Sequence, residues 1–116
     1  MIKVKYYDIE ENNFKNFYAL LKFQFNENEI TLGITQINYD EVKKFNESIK
    51  NNTSYTINFF EYDSYQNIIY KENKIILTKG NMFGQLIVKF NINENIKKTF
   101  DELERLGQCI KNNIPY

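Results

Sequence analysis

Hydrophobic and polar positions along this chain repeat with two different periods. Over residues 1–7, Ile2, Val4 and Tyr6 fall on one side and Lys3 and Lys5 on the other, the period of two that predicts a strand. A polar loop, DIEENN, follows. In NFYALLKFQF (16–25), Phe17, Ala19, Leu21, Phe23 and Phe25 share one face, with Lys22 and Gln24 opposite. After the polar turn NENE (26–29), the chain returns with Ile30, Leu32 and Ile34 on one face and Thr31, Gly33 and Thr35 on the other. Two alternating runs around a short polar turn predict an antiparallel hairpin.

The period then lengthens. Asn38 is placed to cap a helix, with Glu41 three residues on in capping-box position. Val42, Phe45 and Ile49 make one apolar stripe, and Lys43, Lys44, Glu47 and Lys50 face water. KNNTS ends this helix. Strand alternation resumes in SYTINFFEY (54–62), with Tyr55, Ile57 and Phe59 on one face and Thr56, Asn58 and Phe60 on the other. DSYQN (63–67) is a turn. IIYKENKIILTK (68–79) reads as one strand with a polar interruption at KEN. GNMFG (80–84) reads as a second turn in which Gly80 and Gly84 are free to take positive φ. QLIVKFNI (85–92) is the last strand. Asn93 or Asn95 then caps a C-terminal helix whose apolar positions are Ile96, Phe100, Leu103, Leu106 and Ile110. Gly107 interrupts it, at a cost of about 1 kcal/mol against Ala unless it permits close packing. Pro115 falls past its end.

The expected order is β-β-β-α-β-β-β-α. Short turns between strands imply antiparallel pairing, and segregated helices imply an α+β fold rather than a doubly wound one. The expectation is one antiparallel six-stranded sheet with two helices packed on one face. Its other face would be partly open and carry Tyr18, Thr35, Asn58 and Phe60. With no linker, low-complexity segment or repeat, residues 1–116 read as a single domain.

Composition narrows the function. Hydrophobic residues are 42% of the 116 and aromatics 16%, enough for a packed core without staples. Lys plus Arg and Asp plus Glu number 15 each, so no overall field steers the chain to nucleic acid or to an anionic membrane. Arg105 is the sole arginine, the side chain best suited to bidentate contacts with phosphate and guanine. Neither nucleic acid nor membrane is expected as a partner. Residues 1–13 lack the apolar core of a signal peptide, and no apolar run approaches the ~20 residues of a membrane span. The cytoplasm is the simplest location, and there the sequons at Asn46, Asn51 and Asn52 carry no meaning. Abundant Asn, Ile and Lys with scarce Ala and Gly point to an AT-rich bacterial genome, which accounts for the asparagines without a function.

There is no His, and Cys109 is the sole Cys. No internal disulfide, Cys/His zinc site or histidine-based acid–base catalysis is available. Glu10 with Glu11, Glu27 with Glu29, Asp40 with Glu41, and Glu61 with Asp63 pair carboxylates, but each pair lies in a turn or at a helix start. GNMFGQ has no following lysine or helix, so it is not a phosphate loop. Cys109, with no activating His, reads as an idle thiol. The expectation is a protein that is not an enzyme and takes no cofactor or metal.

What remains is FFEYDSYQNIIY (59–70). Phe59 belongs to the core face, with Ile68 or Ile69 opposite. The turn then presents Glu61, Tyr62, Asp63 and Tyr65. Tyrosine favours interfaces because it offers area and a hydroxyl at low entropic cost. Two readings stand: a protein-binding surface, or tyrosines scattered on the surface. Tyr62, Asp63 and Tyr65, with Glu61, are the expected partner-binding residues.

The element order also carries a likeness. A Gly-containing strand runs directly into a capped helix in GITQINYDEVKKFNESI (33–49), and a strand meander and the amphipathic helix FDELERLGQCI (100–110) follow. This pattern is similar to the small immunity proteins of bacterial polymorphic-toxin and contact-dependent-inhibition systems, in particular the WapI-like group. The resemblance implies a cytoplasmic binder that blocks one cognate toxin, the C-terminal domain of a larger secreted protein. It implies steric occlusion, with tyrosines as anchors and carboxylates meeting toxin lysines or arginines. Immunity proteins against nuclease toxins are often acidic, which speeds capture; here only local acidic patches, 8–11 and 61–63, could serve. The alternative is a homo-oligomeric structural or scaffold domain of a phage or mobile element, a homodimer for instance, assembled through the open sheet face.

Overall fold

The computed structural model describes residues 2–11, 17–25, 28–33, 39–61 and 63–116. Along the chain run β1 (Lys3–Glu11), β2 (Phe17–Phe25), β3 (Asn28–Gly33), α1 (Tyr39–Asn51), β4 (Tyr55–Glu61), β5 (Ser64–Lys71), β6 (Lys74–Asn81), β7 (Gly84–Asn91) and α2 (Glu94–Lys111). The α+β class stands, but the single six-stranded sheet does not. β1-β2-β3 form one antiparallel sheet and β4-β5-β6-β7 a second.

The extra strand comes from KEN. Lys71 pairs with Lys74, and Glu72 and Asn73 between them both take positive φ, 51° and 62°. Two left-handed residues make the hairpin turn whose twist matches its flanking strands. The turn lacks the glycine that usually announces it, so a hairpin reads as one interrupted strand. GNMFG departs in the opposite sense. No described glycine has positive φ, Gly80 lies within β6, and Met82 and Phe83 form the turn between the paired Asn81 and Gly84.

The helices do not share one sheet face. α1 packs on β4 and β5, α2 packs on β1, and the helices pack on each other. The predicted stripes face the core: Val42 and Phe45 of α1, and Ile96, Phe100, Leu103, Leu106 and Ile110 of α2, are buried, and Ile49 of α1 is partly buried against them. Phe45 stacks on Phe100 with ring centroids 4.6 Å apart. Beside them the buried Asn46 donates to the Phe100 carbonyl (3.1 Å) and to Glu104 Oε1 (2.9 Å), linking the helices by a satisfied polar group. The second sheet faces this core with Ile57, Phe59, Ile68, Tyr70, Ile75, Leu77 and Phe90. The first contributes Val4, Phe17, Ala19, Leu21 and Phe23 to the same cluster. The sheets meet where Phe90 packs on Phe23 (6.1 Å) and edge-on to Phe25 (5.4 Å).

Asn93, not Asn95, caps α2: its Oδ1 accepts from the Ile96 N–H at 3.0 Å. Asn95 instead accepts from the Val4 N–H (2.8 Å), and the Thr99 hydroxyl reaches the Val4 carbonyl (3.3 Å). Gly107 proves to be a close approach, since an added Cβ would sit 3.0 Å from Phe17 Cε1. The expected cap at Asn38, the open-face residue Thr35, and the side chains of Tyr18 and Phe60 lie outside the described residues. Asn58, of the same expected set, is exposed.

Candidate functional site

The β4–β5 and β6–β7 turns lie at the same end of the four-stranded sheet. Ser64 pairs with Asn81 and Tyr65 with Gly80, whereas the Glu72–Asn73 turn lies at the opposite end. This end is therefore built from the segment singled out in the sequence and from one that was not.

In the β4–β5 turn, Glu61 pairs with Ser64. Asp63 is exposed, at a left-handed φ of 63° that Asp tolerates better than most residues. Tyr62 and the side chain of Glu61 lie outside the described residues. Tyr65 is half-buried, because its ring lies across Gly80. A Cβ on Gly80 would stand 2.8 Å from both Cζ and Oη of Tyr65. The ring fills the space a β6 side chain would occupy and buries that glycine. Of the expected partner-binding residues, Asp63 is presented to solvent and Tyr65 is largely engaged within the sheet. Phe59 is in the core as expected, but its cross-strand partner is Gln66 rather than Ile68 or Ile69.

The β6–β7 turn is the more open neighbour. The Phe83 N–H donates to Asn81 Oδ1 at 2.8 Å, which closes the turn through a side chain instead of a glycine. Met82 and Phe83 are 84% and 90% exposed, and Leu86 and Ile87 at the start of β7 are 48% and 53% exposed. Strand alternation puts Leu86 on the core-side face, past the end of the core, and Ile87 on the opposite face. Phe83, Leu86, Gly80 and Ser64 line a shallow groove of about 410 Å³. Met82, Phe83 and Leu86 are thus exposed within five residues at the sheet end that carries Asp63 and Tyr65, while Ile87 stands on the other face of β7. Met82 and Phe83 were missed because a turn was expected to be polar, and Leu86 because periodicity counts it with the last strand. The available signal was Met-Phe at the centre of that turn.

A second depression, about 350 Å³, lies between β1 and α2 and includes Tyr6, Lys98, Thr99 and Glu102. Burial, then the charge and hydrogen bond of Glu102, raise the Tyr6 pKa above its ordinary value. Cys109 is half-buried on α2. Among the described residues no group of three His, Cys, Asp or Glu side chains could hold a metal, and no helix is long and apolar enough to cross a membrane. The acidic residues Asp8, Glu10 and Glu11 are exposed on β1, in the other sheet from Asp63. Comparison of the chain with protein-family models, with curated proteins and with solved structures found no match.

Proposed function

We propose that this chain is an immunity protein: a stoichiometric inhibitor, without catalysis of its own, that binds a cognate bacterial toxin domain in the cytoplasm and blocks it sterically. The observation that carries the reading is the exposed apolar end of the four-stranded sheet. Solvent-exposed Met and Phe at a turn, next to a half-exposed Tyr and a carboxylate, have the composition of an interface centre with a polar rim. The anchors are then Met82 and Phe83, supported by Leu86. Asp63, with Glu61, meets basic toxin residues at the rim. Tyr65 holds the platform by packing on Gly80.

The test is a pull-down with the tagged protein from its host, read by mass spectrometry. The expected result is one polypeptide recovered in near-equal amount, the C-terminal part of a large secreted protein. A Met82→Ser/Phe83→Ser variant with an unchanged circular dichroism spectrum should lose it. Capture by that variant at wild-type level would remove the turn from the interface. A homo-oligomeric structural domain is the second reading, favoured by the apolar outer edge of β7; it predicts recovery of the bait alone at a multiple of the monomer mass.

A further inference from the structure

We infer that β7 is a self-pairing edge: two copies of this chain join their β7 strands antiparallel about a twofold axis at Ile87, making one continuous eight-stranded sheet. This deepens the homo-oligomer reading and stands apart from the toxin reading, which concerns a foreign partner.

The edges of the two sheets are protected unequally. An unpaired strand edge offers free N–H and C=O groups, and proteins blunt such edges with charges, prolines, bulges or a covering element. β1 is blunted twice. Asn95 and Thr99 of α2 bond its Val4 N–H and C=O, and Asn93 donates to the Ile2 carbonyl at 2.8 Å. Its pairing with β2 also shifts between Tyr7 and Glu10, where Asp8 takes a φ of 53°. β4, at the far end of the second sheet, lies against α1 and exposes the polar Thr56 and Asn58. Among the described residues β7 has no bulge or covering element, and only one of the charges that blunt an edge. It ends its sheet, runs eight residues in unbroken register with β6, contains no proline, and carries Lys89 as its single charge. Ile87 is exposed in its middle.

The register follows from hydrogen-bond parity. The Ile92 N–H donates to the Asn73 carbonyl across the β6–β7 pair, so even-numbered backbone groups of this strand face β6. The N–H and C=O of Gln85, Ile87 and Lys89 therefore point out of the sheet. Antiparallel self-pairing must match these odd positions with one another. Centring it on Ile87 sets Ile87 against Ile87 of the second copy, Gln85 against Lys89, and Leu86 against Val88. Shifting the centre to Val88 would set Ile87 against Lys89, and centring on Leu86 would set it against Gln85. Only the first arrangement puts apolar on apolar and polar on polar across both faces. It places no two lysines opposite each other, and the zero net charge of the chain opposes association little. The pairing runs from Gly84 to Phe90 and leaves Met82 and Phe83 outside it.

The test uses the purified full chain in light-scattering chromatography over a concentration series. The expected mass rises from 14.0 kDa toward twice that value. Ile87→Lys, which sets two ammonium groups face to face on the axis, should stay monomeric with an unchanged circular dichroism spectrum. In a Cys109→Ser background, Gln85→Cys mixed with Lys89→Cys under reducing conditions and then oxidised should form a disulfide-linked dimer. Paired Cα atoms there would be about 5.5 Å apart, within disulfide reach. Either variant alone should not cross-link, since its own thiols would lie about 14 Å apart along the strands. A wild-type chain that is monomeric throughout would overturn the inference. So would a dimer that survives Ile87→Lys, or a mixture that fails to cross-link. Failure here leaves the toxin reading standing, because that reading is decided by the pull-down.

Discussion

Tyr65 and Gly80 show how one side chain decides the use of another. A tyrosine at a hairpin end invites a binding role, yet its ring lies where a β6 side chain would have stood. Gly80→Ala should force that ring aside, with an overpacking cost of about 1–2 kcal/mol in urea denaturation. In a Tyr65→Ala background the same substitution should cost nothing or stabilise, because Ala suits a strand better than Gly. Additive effects in this double-mutant cycle would mean that the ring does not rest on the glycine. Tyr55 is a second case. Its hydroxyl donates to Glu41 Oε2 at 2.9 Å. Burial first, then the Glu41 hydrogen bond and charge, push its pKa from 10.0 up to about 12. The folded state thus holds this proton more tightly than the unfolded chain. The stabilising contribution is whole below pH 10 and is lost as the pH rises through about 12. Tyr55→Phe should therefore lose less stability than wild type when urea denaturation is compared at the two ends of that window. An equal loss in both proteins would separate Tyr55 from the alkaline transition.

At the scale of elements, the turns carry the information that periodicity lacks. Glu72 holds a φ of 51° in the β5–β6 turn, a conformation that costs most L-residues about 1 kcal/mol or more. Glu72→Asn should raise stability by about 0.5–1 kcal/mol, seen as a higher urea midpoint at unchanged slope. A lower midpoint would mean that the Glu72 side chain has a stabilising contact that outweighs the strain. Its neighbour Asn73 is less free to change, since its Oδ1 lies 3.2 Å from the buried Tyr70 hydroxyl, which also reaches Asn52 Oδ1 at 2.9 Å. The same reasoning explains why the strand around KEN reads as continuous. The core positions change parity across the two-residue turn, from Ile68 and Tyr70 to Ile75 and Leu77, but the unbroken apolar runs 68–70 and 75–77 hide that change from a reading of periodicity.

For the whole molecule, the question is whether two sheets unfold as one. Among the described residues they share no strand pairing, but Phe90 of the second meets Phe23 and Phe25 of the first, and the buried cluster is continuous through both helices. Phe90→Ala should cost about 3–5 kcal/mol while the transition stays single and coincident by fluorescence and circular dichroism. Two resolved transitions would show that the sheets are held together by this aromatic contact and little else.

Periodicity alone determined where the helices and the middles of most strands lie, which faces α1, α2, β2 and β4 bury, and that the fold is α+β, although β1 runs on to Glu11 through the expected loop and β5 begins at Ser64 inside the expected turn. Those features depend on local spacing, and Val42, Phe45, Ile96, Phe100 and Leu103 are buried where spacing placed them. The division into two sheets could not be read this way. It depends on which strand edges meet and on α1 and α2 serving different sheets, relations between residues far apart in the chain. The site divides along the same line. The segment around Asp63 and Tyr65 was legible from its composition, but its pairing with the β6–β7 turn was not. Register across β5 and β6 brings Met82 and Phe83 to the same end, and the ring of Tyr65 turns from anchor to support once Gly80 is its cross-strand partner.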